Sequence, residues 1–151
     1  MGILYQFSVG SWYNYSVVMT LREYGSKKMR VGILDDHQGI CDMLSMALEL
    51  AGHTASTYQD SAQFLAFVTQ EQTPPLSGVF DLMIVDYHLP GELSGVDVIR
   101  RVRRIYPNLP VLLISAECPR VLEAAKEGLT GVKLFPKPLR LSTLLATIKE
   151  Y

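Results

Sequence analysis

The sequence predicts an α/β fold in which a buried parallel sheet carries helices on both faces. Three observations predict it. Short apolar runs, Val31-Gly-Ile-Leu34, Leu82-Met-Ile-Val85 and Val111-Leu-Leu-Ile114, recur along the chain. Runs this short and rich in β-branched residues fit strands buried on both faces. Between them lie longer segments with helical spacing, and such alternation implies parallel strands joined by right-handed crossovers. Finally, the three runs close on Asp35-Asp36, Asp86 and Ser115, and a shorter run, Leu134-Phe135, is followed by Lys137-Pro138. In open parallel sheets, sites form outside the carboxyl ends of the strands, where all these residues would converge.

Taken in order, the first strand is followed by a helix over about 38–51. There Ile40, Met43, Leu44, Ala47 and Leu50 recur at spacings of three and four, and Gly52 provides a C-cap. A weaker strand over about 53–57 precedes a helix over about 61–69. Residues 70–78 form a polar loop whose Pro74-Pro75 suits neither element. A strand over about 81–85 leads through the loop 86–95 into a helix over about 96–106, which Pro107-Asn108 breaks. Next come a strand over 111–115 and a short helix that starts at Pro119 and stops at Gly128. The last strand, about 131–135, meets Pro136-Lys137-Pro138, and a helix over about 141–150 closes the chain. The strand–helix unit thus occurs five times.

At 151 residues, the chain suits one domain over 29–151 with a proper core. Residues 1–28 are rich in Tyr, Ser and Gly and lack clean periodicity. They read as a disordered N-terminal extension or an over-long start, with Met19 and Met29 as alternative starts and no secretory-signal pattern. The net charge of −1 argues against a general polyanion-binding role. Arg100, Arg101, Arg103 and Arg104 read as a solvated helix face rather than a nucleic-acid contact. Cys41 and Cys118 offer neither a disulfide framework nor metal-ligand spacing, which suits reduced thiols and a cytoplasmic location. The apolar stretches fall short of the roughly 20 residues that span a bilayer.

Asp35, Asp36 and Asp86 would form an all-oxygen acidic cluster. Clustered carboxylates repel one another unless a cation neutralises them, and hard oxygen donors suit Mg²⁺, with Mn²⁺ as a substitute. His88 would contribute its backbone carbonyl, since imidazole is a poor Mg²⁺ ligand. A carboxylate beside the metal can act as a nucleophile on phosphorus, and Asp86 is the candidate. Lys137 would offset charge on the phosphoryl oxygens, and the Ser115 hydroxyl would hydrogen-bond one of them. Each element alone is ordinary: an Asp pair after a strand is usually a solvated turn. Their joint occurrence at the ends of successive apolar runs is what points to one site.

The Asp-Asp pair, the Val-Asp-x-x-Leu-Pro-Gly segment, the Ile-Ser-Ala segment and the Lys-Pro pair together resemble the receiver domain of response regulators in two-component phosphorelay signalling. The resemblance covers the chain from Arg30 onward. It implies the flavodoxin-like receiver fold, a five-stranded parallel sheet of order 2-1-3-4-5 flanked by five helices. By the same resemblance Asp86 is the phosphoacceptor, Asp36 a metal ligand, and Asp35 a ligand acting largely through water. Ser115 is the switch hydroxyl, and Lys137 is the cation that binds the phosphoryl group. The donor would be a phosphohistidine on a sensor histidine kinase or a phosphotransfer protein. Such a domain is not an enzyme, assisting only its own phosphorylation and dephosphorylation.

The chain departs from the family pattern at Leu134, where an aromatic switch residue is usual. The neighbouring Phe135 would point to the opposite face, so activation would be read mainly through Ser115 and the loop after it. The loop after Asp86 is one residue longer than the commonest form. His88 and Glu117 are expected to pair across the mouth of the site and tune the phosphate lifetime. The last two helices and the strand between them, with Arg120, Glu123, Lys133 and Arg140, would form the output face. A stand-alone receiver that signals by binding a partner protein is the expected role, without direct contact to nucleic acid or membrane. One alternative is a receiver-like interaction module that works without phosphorylation. Another is an aspartyl-phosphate phosphohydrolase of the haloacid-dehalogenase type, which needs an acid where His88 stands. A flavin or nucleotide binder would need a glycine loop where Asp35-Asp36-His37-Gln38 stands.

Overall fold

The computed structural model describes residues 27–69 and 79–151, together with the backbone of two three-residue strands, Leu4–Gln6 and Trp12–Asn14. Those two strands pair antiparallel, a pairing that the periodicity of the N-terminal segment does not predict. The rest of the expected extension and the polar loop at 70–78 lie outside the described residues.

The sheet strands are β1 (Arg30–Leu34), β2 (Thr54–Tyr58), β3 (Leu82–Asp86), β4 (Val111–Ser115) and β5 (Val132–Pro136). All are parallel, in the order β2-β1-β3-β4-β5. The helices between and after them are α1 (Gln38–Leu50), α2 (Ser61–Val68), α3 (Gly95–Arg103), α4 (Pro119–Ala125) and α5 (Leu141–Ile148). The expected order and the five strand–helix units are therefore the observed ones.

Two-residue alternation along the strands divides the core into two layers. On one face Val31, Ile33, Leu82, Ile84, Leu112, Ile114 and Phe135 pack against α1 and α5 through Leu44, Leu48, Leu144 and Ile148. On the other, Leu34, Met83, Val85, Val111, Leu113 and Val132 meet α2, α3 and α4 through Phe64, Ile99, Val102 and Leu122. Strands β3 and β4 are buried along their whole length, which is why they read as unbroken apolar runs. Strand β2 is a sheet edge with a largely exposed Thr-Ala-Ser-Thr-Tyr sequence, which is why its signal is weak.

Helix α3 ends at Arg103, short of the expected 106. The chain tightens there, with Arg104 N–H donating to Arg101 O and Ile105 N–H to Val102 O. This is the narrower turn that often finishes an α-helix. The basic stripe on α3 also differs from a plain solvated face. Arg100 donates to the carbonyls of Ala125 (2.9 Å) and Glu127 (3.3 Å) at the end of α4. Arg103 donates to Thr130 O at 2.7 Å and also to Pro107 O. Carbonyls at a helix C-terminus lack intrahelical partners, and guanidinium groups satisfy them well. Arg101 and Arg104 do face solvent.

Candidate functional site

The carboxyl ends of β1, β3, β4 and β5 bring the expected residues together. Asp35 follows β1, its N–H donating to Tyr58 O on β2 at 3.1 Å. Asp86 and Ser115 are the last residues of β3 and β4. Lys137 follows β5, its N–H donating to Ser115 O at 2.8 Å, and its bond to Pro138 is cis. Asp35, Asp86 and Ser115 are only 1 %, 3 % and 0 % exposed. Buried charge at that level requires partners. Lys137 Nζ donates to Asp86 Oδ2 at 3.0 Å and to Asp35 Oδ2 at 3.4 Å, so one ammonium serves two buried carboxylates.

The electrostatics follow from that imbalance. Burial pushes the Asp86 carboxyl up from its ordinary pKa and the nearby Asp35 charge adds to this, while the bond from Lys137 works the other way. For Lys137, burial opposes the charged form, but the hydrogen bond and charge of Asp86, with the charge of Asp35, outweigh it and hold the ammonium above its ordinary range. Asp36, at the exposed lip, adds a third acid. A divalent cation would offset the excess negative charge. The residues present fit one: ligand atoms of Asp35, Asp36, His37 and Asp86 all lie within 4.8 Å of one another. Ligands opposite each other on an ion with bonds of about 2.1 Å stand about 4.2 Å apart, so only a small contraction is needed.

Two features of this site escape a reading of the sequence. The first is His37, whose ring sits among the acids: Nδ1 is 3.3 Å from Asp35 Oδ1 and 3.1 Å from Asp36 Oδ1. Its backbone N–H also donates to Asp35 Oδ1 at 2.9 Å. Its place directly after the Asp pair was the available signal. The second is Gly95, the first residue of α3. A Cβ there would stand 2.1 Å from the Asp86 carbonyl oxygen, while Gly95 N–H donates to Tyr87 O at 2.8 Å. Only glycine lets the helix start rest directly on the backbone of Asp86 and Tyr87. Ser94 and Asp97 hold that start in a reciprocal capping box.

Around the mouth, His88 Nε2 lies 2.8 Å from Glu117 Oε1, joining the loop after β3 to the loop after β4. Ser115 Oγ accepts from Glu117 N–H at 2.9 Å, so the hydroxyl and the Glu117 loop are directly linked. Leu134 is half-buried and packs on the α2–α4 side of the sheet, whereas Phe135 belongs to the opposite layer. Among the residues of the expected output face, Lys133 pairs with Glu150 and lies 5.1 Å over the Tyr151 ring. Glu123 pairs with Lys126, and Arg120 and Arg140 are exposed.

A doubly wound sheet thus sets buried acids, a hydroxyl and an ammonium at one strand edge, where such folds form their sites, and the acidic cluster is compatible with a divalent cation. The chain belongs to the response regulator receiver domain family, whose family profile matches residues 31–149. It is a receiver domain of two-component signalling. It is 29 % identical over 131 residues to the probable transcriptional regulatory protein TcrX of Mycobacterium tuberculosis, covering 85 % of this chain and 52 % of that protein. It is 28 % identical over 130 residues to the sensory/regulatory protein RpfC of Xanthomonas campestris, covering 82 % of this chain and 16 % of that protein. The chain thus spans about half, or less, of the length of these relatives. Its fold matches the chemotaxis protein CheY4 of Vibrio cholerae, with a TM-score of 0.69, 25 % identity and coverage of 82 % of this chain and 98 % of that one. Among the described residues, no helix is long and apolar enough to cross a membrane.

Proposed function

We propose that this receiver takes a phosphoryl group onto Asp86 from a phosphohistidine of a sensor histidine kinase or phosphotransfer protein. The juxtaposition of buried Asp86 with Lys137 Nζ at 3.0 Å, inside the acidic cluster, carries this reading. An Asp86 carboxylate oxygen attacks phosphorus, the P–N bond breaks, and the imidazole leaves with the electron pair. Asp35, Asp36 and Asp86, with the backbone carbonyl of His88, would hold Mg²⁺, or Mn²⁺ in its place. When bound, the ion supplies positive charge to the phosphoryl oxygens. Lys137 would add a second positive charge, and its bond to Asp86 Oδ2 orients the acceptor carboxylate. Once Asp86 is an acyl phosphate its carboxyl group no longer holds Lys137 as a full anion, and the ammonium follows the phosphoryl oxygens.

Ser115 carries the signal outward. Its hydroxyl turns toward the new acceptor, and the Glu117 N–H bonded to it moves with the loop before α4. With Leu134 in place of an aromatic ring, the change is read through Ser115 and this loop onto the face made by α4, β5 and α5, where a partner protein binds. The domain works as a switch rather than as an enzyme, promoting only its own phosphorylation and dephosphorylation, in the cytoplasm. The test is a nuclear magnetic resonance titration with beryllofluoride and Mg²⁺. The expected result is Mg²⁺-dependent shifts of the Ser115, Glu117 and Lys137 amides that spread to α4. Shifts confined to exposed loops, or none, would favour a receiver-like module that binds partners without phosphorylation.

A further inference from the structure

We infer that Arg100 and Arg103 of α3 latch the far end of α4, so that this helix answers the site by pivoting about its C-terminal end rather than by shifting as a whole. The inference rests on the reading above, that a change at Asp86 reaches α4 through Ser115 and Glu117. The two ends of α4 are held differently. At its start, the N-cap Cys118 makes no side-chain capping hydrogen bond. The residues before it lead straight back to Ser115, whose Oγ accepts from Glu117 N–H at 2.9 Å. Among the described residues of α4, Leu122 alone is buried, so little packing fixes the helix on the sheet.

The other end is tied. Arg100 Nη2 donates to Ala125 O at 2.9 Å and to Glu127 O at 3.3 Å, and Arg103 Nη2 donates to Thr130 O at 2.7 Å. The last carbonyls of a helix lack intrahelical partners, and hydrogen bonds from a charged donor are the stronger kind. The backbone also comes close to the guanidinium: Gly131 has φ +66°, and a Cβ there would stand 3.2 Å from Arg103 Nη2. The helix that carries both arginines is firmly seated, with Val98, Ile99 and Val102 buried and a capping box at its start. A helix with a loosely held, switch-linked start and a tied end turns about the tied end. Displacement is then greatest at residues 118–121, which include the exposed Arg120 and Val121 of the output face.

The test is amide hydrogen exchange on the full chain, read residue by residue by nuclear magnetic resonance, with and without beryllofluoride and Mg²⁺. At the start of α4 the probes are Val121 and Leu122, whose N–H groups donate to Cys118 O. At its end they are Lys126 and Leu129, which donate to Leu122 O and Lys126 O. In wild type, beryllofluoride should change exchange at Val121 and Leu122 by about threefold or more, while Lys126 and Leu129 stay within about twofold. In Arg100→Ala, Lys126 and Leu129 should exchange about threefold or more faster without beryllofluoride, and should now respond to it. Arg101→Ala, on the solvent side of the same helix, should match wild type. Equal responses at the two ends of α4 in wild type, nil included, would overturn the pivot, and this arm needs no variant. An Arg100→Ala protein indistinguishable from wild type, or an equal effect of Arg101→Ala, would overturn the latch. If the Ser115 and Glu117 amides of wild type ignore beryllofluoride, the phosphorylation switch itself fails and the inference with it.

Discussion

Asp86 is held in a setting that favours its neutral form, and this gives the site a cost that can be measured. Its folded pKa is raised, chiefly by burial. The folded state therefore binds more protons than the unfolded chain as pH rises from the ordinary carboxylate range to the folded pKa. Stability contributed by this group falls across that window, and the deficit is complete above the folded pKa. Asp86→Asn, which removes the charge, should leave the domain at least as stable as wild type at pH 7, with a gain of up to about 1 kcal/mol by urea denaturation. Mg²⁺ should stabilise wild type more than the variant. A loss of several kcal/mol on this substitution would show that Asp86 is structural. At the mouth of the site, His88 and Glu117 meet at 2.8 Å. His88→Ala and Glu117→Ala should each change the phosphate half-life several-fold, by phosphate-release assay; unchanged half-lives would leave this pair as a plain surface contact.

Among the elements, the start of α3 is the least tolerant join. Gly95→Ala would place a methyl group 2.1 Å from the Asp86 carbonyl oxygen, so α3 or the acceptor loop must shift. A loss of about 1–3 kcal/mol is expected, whereas Gly39→Ala in α1, with open space around it, should be neutral or gain up to about 1 kcal/mol. Equal effects at the two positions in chemical denaturation would refute the close-contact account. The same contrast shows what the sequence reveals of elements. Helix α1 was legible because its apolar residues repeat on one face and Gly52 ends it with φ +91°. The end of α3 was not, because Ile105 and Tyr106 continue the apolar spacing while the hydrogen bonds tighten before Pro107. The roles of Arg100 and Arg103 were hidden because the carbonyls they serve lie beyond α3, at the end of α4 and in the neighbouring loops, and charge spacing alone looks like a solvated face.

Across the whole molecule, the parallel sheet turns residues far apart in sequence into one site. Asp35, Asp86, Ser115 and Lys137 were legible because each ends an apolar run, and parallel strands put all such ends on one edge. His37 and Gly95 were not, since a ring aimed at acids and a helix resting on a carbonyl depend on how loops return to the sheet. The edge near β2 also carries a global pH response. His53 is buried, accepts from Met29 N–H through Nδ1 at 3.2 Å, and has its pKa lowered by burial. The unfolded chain thus binds the proton more readily, so this group's contribution is present above the ordinary histidine pKa of about 6.5 and is lost as pH falls below it. His53→Gln should flatten the decline in thermal midpoint between about pH 7 and 5; an unchanged slope would remove His53 as its source. The most direct measurement is intact-protein mass spectrometry after incubation with Mg²⁺ and acetyl phosphate, on wild type and on Asp86→Asn. A hydroxylamine-labile phosphoryl adduct on wild type alone is the predicted result, and an adduct on both proteins, or on neither, would contradict Asp86 as the phosphoacceptor.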